Sequence, residues 1–189
     1  MTRSLRPAIL VSLLLAGVSL SLLLRAWLVP PPGTAFIGTF YYTDDFFNYL
    51  TMVEQAQRGE IVFRSKLASP SLPADLVNLE WLLAGWLAAL LGGRTVLAFR
   101  LFGLLAIGGW VYAADRYLLR SGLGDRHRLP ALLLVFTGGG VGGLLWAVGW
   151  LRGDRAFDLV TGAYPFVAAL ANPHFVAGSA LLLLSLIHI

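Results

Sequence analysis

Two adjacent carboxylates, Asp44 and Asp45, follow the aromatic run Phe40-Tyr41-Tyr42 and Thr43, just ahead of a segment with helical spacing. A carboxylate held beside aromatic rings and a cation can take a proton from an acceptor hydroxyl, while cations neutralise a phosphate leaving group. Asp44 and Asp45 are therefore the catalytic candidates. The plainer alternative is a helix cap, and the two roles are compatible because a capped helix start is also a rigid mount. Arg25, Arg94 and Arg100 lie within or beside apolar runs, where charges are costly and often functional; otherwise they anchor helix ends. His174 follows Asn172-Pro173 and is a site candidate or a simple helix-start residue. Asp154 and Asp158 flank Arg155, as a solvated loop or a second acidic site. No His, Asp and Glu spacing matches a recognisable metal site. With no cysteine there is no thiol chemistry. No cofactor is assigned, and a divalent metal is left open.

Composition limits what these residues can belong to. The chain has 189 residues, 58% hydrophobic and 13% charged, with a mean hydropathy of +0.76. Soluble domains carry about 25% charged residues, so this balance argues against a soluble enzyme. The net charge is only +4 and sits mostly beside apolar runs, which points to membrane topology rather than to a nucleic-acid partner. The expected fold is all-α, a polytopic transmembrane helix bundle with interfacial helices in its first outer loop. Membrane spans are expected over 8–29, 95–114, 130–151 and 175–189. The first is read as an uncleaved helix rather than a signal peptide, because no clear small-x-small cleavage site follows it. The run Trp81–Leu91 is too short to cross. Keeping it on the surface makes 115–129, with Arg116, Arg120, Arg126 and Arg128, a cytoplasmic loop, as the positive-inside rule requires. The N-terminus is then cytoplasmic, and 30–94 and 152–174 lie outside. Gly138-Gly139-Gly140-Val141-Gly142-Gly143 formally contains G-x-G-x-x-G. It falls inside a span, where close helix packing or a kink explains it.

The outer loop holds two expected interfacial helices, over 44–58 and 77–91. Thr43 or Asp44 suits the N-cap of the first and Gly59 its C-terminal end. Phe46, Tyr49, Leu50 and Val53 recur at helical spacing. The order of an inward-starting helix, an acidic pair opening an amphipathic helix, a closing glycine and a short apolar segment resembles membrane glycosyltransferases of the GT-C superfamily. The resemblance is to the bacterial protein-mannosyltransferase and aminoarabinose-transferase group. That group carries Asp-Glu-x-x-Tyr-x-x-x-Ala-x-x-x-x-x-x-Gly in its first outer loop. Here Asp44-Asp45-Phe46-Phe47-Asn48-Tyr49, through Gln55-Ala56-Gln57-Arg58 to Gly59, has the same shape. The second acid is Asp rather than Glu, the tyrosine is displaced by one, and the group's Pro-Pro is replaced by separate Pro70 and Pro73. Tyr164-Pro165-Phe166 through Asn172-Pro173-His174-Phe175 is similar to a loop in uncharacterised bacterial relatives.

The resemblance implies a sugar donor linked to polyprenyl phosphate, presented at the outer leaflet of the bacterial inner membrane, and an acceptor of unspecified kind. Asp44 matches the group's catalytic-base position and Asp45 its neighbour. Arg94, Arg100, Arg25, His174 and Tyr42 become candidates for the donor phosphate or substrate. The rivals are a secondary transporter or flippase component and a non-catalytic membrane scaffold. The chain is expected to be the N-terminal part of a longer protein, and its tail from Leu184 resembles translated sequencing adaptor.

Overall fold

Pro7 in the first turn and the Pro30-Pro31-Pro32 run beyond its end delimit the first helix, since proline suits a helix start and cannot extend one. In the computed structural model, which describes residues 4–40, 42–66, 73–74, 76–138 and 172–188, this helix is α1, Arg6–Leu28. There follow α2 (Thr43–Gln57), α3 (Leu79–Leu90), α4 (Thr95–Arg120), α5 (Asp125–Thr137) and α6 (Pro173–His188). The described chain is all-helical, with one antiparallel bridge between Phe63 and Leu76 pinning the link from α2 to α3.

Local chemistry sets the helix ends. Gly59 takes φ +91° beyond α2. Its N–H donates to Ala56 O, and the Glu60 N–H donates to Gln55 O, the paired bonds of a Schellman stop. The N-cap of α2 is neither Thr43 nor Asp44 but Tyr42, at φ 51°, ψ 59° and without a side-chain cap. Both acids instead occupy the first turn, where the helix dipole favours negative charge. Asn78 caps α3, its Oδ1 accepting from the Glu80 and Trp81 N–H groups at 2.8 and 3.2 Å.

The expected polar loop over 115–129 is mostly helix. α4 runs on to Arg120 and α5 begins at Asp125, five residues before the Pro130 expected to open that span. The reason is a buried ion pair. Arg128 Nε donates to Asp115 Oδ1 at 2.8 Å and Nη1 to Asp125 Oδ1 at 2.9 Å, and Nη2 reaches Ser4 O at 3.0 Å. Arg116 Nη2 also donates to Asp115, at 2.7 Å. One carboxylate thus binds α4 to α5 and to the start of α1, so two of the four arginines are neutralised inside the fold.

Two cores share α4. Near its start, Phe46, Leu50 and Val53 of α2 and Trp81, Ala84 and Ala88 of α3 pack on Ala98 and Phe99. Gly85 is the close-approach point between α2 and α3, since a Cβ there would lie 2.8 Å from Val53 O. Further along, Val11 and Leu15 of α1, Ile107 and Val111 of α4, Leu132 and Phe136 of α5, and Val176 of α6 form the second core. Contacts give the directions. Ser19 and Leu23 of α1 lie by Arg100 and Ile107, while Ser4 lies by Arg128 and Asp115, so α1 is antiparallel to α4. Phe136 stacks edge-on against Trp110, making α5 antiparallel too. Gly103 meets Pro173 and Tyr112 lies near Leu184, so α6 runs parallel to α4. α1 and α4 are each long and apolar enough to cross a membrane.

Candidate functional site

The starts of α2, α3 and α6 converge on one cluster. Tyr49, one turn after Asp45, stacks on Trp81 with ring centroids 4.9 Å apart. His174, second residue of α6, lies edge-on to Tyr49 at 4.6 Å and tilted against Trp81 at 5.2 Å. Asp45 is exposed at the mouth, and its charge reaches both Tyr49 and His174. Burial first, and Asp45's charge second, push the Tyr49 phenol up from its usual range and keep it a proton donor. His174 Nδ1 is buried and has no hydrogen-bond partner among the described residues.

Glu80, the residue before Trp81 in α3, is a further acid packed against α6 and is not among the sequence candidates. Its carboxyl lies against α6, where a Cβ at Gly178 would be 3.7 Å from Oε1. Burial pushes it up to about 7. The available signal was a lone acid opening an apolar run, directly before Trp81.

The other candidates separate. Asp44 is exposed beside Asp45, and Tyr42 is half exposed. Tyr42 is the one non-glycine residue at positive φ among the described residues, a strained conformation of the kind that collects at functional positions. Arg100 is 5% exposed. Its Nε donates to Gly38 O at 2.6 Å, and its guanidinium lies 5.4 and 5.3 Å from the Phe46 and Phe99 rings. It does not snorkel out; it holds the loop before α2 down on α4. Gly38, at φ +106°, fits because a Cβ would come within 2.6 Å of Val96 Cγ1. Arg25 is exposed in the last turn of α1. Arg94 precedes α4 and lines an open groove of about 570 Å³ with Glu54, on the other flank of α2.

No group of three or more His, Cys, Asp or Glu side chains among the described residues could hold a metal ion. Asp154, Asp158 and most of the glycine run lie outside the described residues, as does the Tyr164-Pro165-Phe166 stretch. No protein-family model, curated protein or solved structure matches the chain.

Proposed function

We propose that the chain is the N-terminal part of a multi-pass membrane glycosyltransferase of GT-C type, with its N-terminus in the cytoplasm of a bacterial cell. The sugar donor is a polyprenyl phosphate at the outer leaflet. The observation that carries this reading is the exposed Asp44-Asp45 pair opening α2, beside the starts of α3 and α6 and over the first half of α4. If α1 and α4 cross the bilayer, that end of the bundle lies at headgroup level, where the phosphate of a lipid-linked sugar must sit. The alternating directions of α1, α4, α5 and α6 fit repeated crossings.

In this reading Asp44 takes the proton from the acceptor hydroxyl as its oxygen attacks the anomeric carbon from the side opposite the phosphate. The bond from that carbon to the phosphate oxygen breaks, polyprenyl phosphate leaves, and the configuration inverts. Arg25 and Arg94 are two of the exposed cations at this end, with Arg58, Arg64 and Lys66 further along the outer segment, and both are available to the leaving phosphate. Arg100 is committed to Gly38 and positions the loop. Asp45, Tyr49 and His174 support the acceptor side.

Asp44→Asn in the full-length protein is expected to abolish label transfer from polyprenyl-phosphate sugar while leaving membrane abundance unchanged. Retained transfer in Asp44→Asn and in the Asp44, Asp45 double variant would refute the base assignment. A second reading, a secondary transporter component, draws on Glu80, a carboxyl near neutrality packed against α6. Substrate uptake into vesicles that Glu80→Gln abolishes would favour it.

A further inference from the structure

The groove on the other flank of α2 carries an unusual pair of charges. Glu54 lies half a turn round α2 from Asp45, since nine residues at 100° each make about 900°. It faces a space shared with Arg94, of a size typical of ligand pockets. Apart from Thr95, the rest of the groove's lining is apolar: Leu50, Val96, Leu97, Trp27, Phe36 and Ile37. Trp27 and Ile37 are 39% and 45% exposed, so this apolar surface is open to the surroundings. Yet neither Arg94 nor Glu54 enters an ion pair among the described residues. The start of α4 beside Arg94 has no side-chain cap, and the positive end of its dipole adds to the cationic side.

A purely anionic ligand would meet Glu54 as a like charge, and a purely cationic one would meet Arg94; either arrangement costs binding energy. A ligand with an apolar chain and both charges satisfies every wall. We propose that this groove holds a membrane phospholipid whose headgroup carries a phosphate and a primary ammonium, the phosphate on Arg94 and the ammonium on Glu54. Trp27 at the end of α1 is placed as an interfacial anchor beside it. The proposal rests on the membrane-crossing part of the functional reading alone and not on sugar transfer. It assigns Arg94 to the bound lipid and leaves Arg25 to the donor phosphate.

The test is native mass spectrometry of the full-length protein in detergent, with equimolar phosphatidylethanolamine and phosphatidylglycerol of matched acyl chains. Wild type is expected to retain the ethanolamine lipid with a preference of roughly tenfold, near the low end for one hydrogen bond to a charged group. Glu54→Gln is expected to erase that preference, and Arg94→Gln to lower retention of both lipids. Ile37→Trp enlarges an exposed loop side chain that lines the groove, and it is expected to lower retention of both even if a helix variant fails to fold. Equal retention of the two lipids by wild type would overturn the proposal, as would a preference that survives Glu54→Gln and Ile37→Trp. The assay needs no sugar donor, so an inactive base assignment and an empty groove are distinguishable results.

Discussion

Neighbours decide what each carboxylate in this chain does. Asp44 and Asp45 stand exposed in the first turn of α2, Glu80 is half-buried against α6, and Asp115 is wholly buried beneath Arg128. The Glu80 carboxyl is raised in the folded protein to about 7, above its unfolded value, so the folded state favours its protonated form. Its contribution to stability is present at pH 4 and lost as pH rises through about 7. Glu80→Gln is therefore expected to raise the thermal midpoint at pH 8 and to leave it little changed at pH 4, read by parallel melts. Asp115→Ala leaves Arg128 buried without its main partner and is expected to destabilise the protein by about 3–5 kcal/mol in denaturant titrations. Asp44, Asp45 and His174 could be singled out in the sequence because their types and flanking residues mark helix starts. Glu80 could not be placed, since its surroundings come from α6, nearly a hundred positions away. Arg100 reads in the sequence as a helix-end cation, and only the folded loop supplies Gly38 O as its acceptor.

At the scale of elements, signals that act over one turn were legible and signals that depend on a partner were not. Gly59 reads as a helix stop, and it makes one. The expected cap at Thr43 or Asp44 gives way to Tyr42, whose backbone takes the left-handed turn as the loop from Gly38 descends onto α4. The span expected over 95–114 ends where Asp115 and Arg116 look like the start of a polar loop, and α4 as a helix runs beyond it to Arg120. The acid finds Arg128 across the turn, and the helix continues past both. Gly85 is another partner-dependent residue, an ordinary glycine in the sequence that here lets α2 and α3 touch. Gly85→Val is expected to cost about 1–3 kcal/mol by overpacking. The measurement is a lowered unfolding midpoint, accompanied by faster proteolysis of the 58–78 link as α3 loosens from α2.

For the whole molecule, hydropathy located the two long helices, because a continuous apolar run needs no knowledge of its neighbours. The sharing of α4 between two cores was not legible, since nothing in the sequence says which apolar faces meet. That sharing sets the geometry of the two ends: the acid pair and groove gather at the start of α4, while the Asp115–Arg128 pair closes its other end. On the proposed reading, these two ends face opposite sides of a membrane. The chain has no cysteine, so single cysteines can report on this directly. Glu60→Cys and Ser121→Cys, both at exposed positions, are to be treated in intact cells with a membrane-impermeant maleimide. Labelling of Glu60→Cys from outside, with Ser121→Cys labelled only after permeabilisation, is the predicted result. Labelling of both from outside, or of Ser121→Cys alone, would show that the two ends of α4 do not face opposite sides in this orientation.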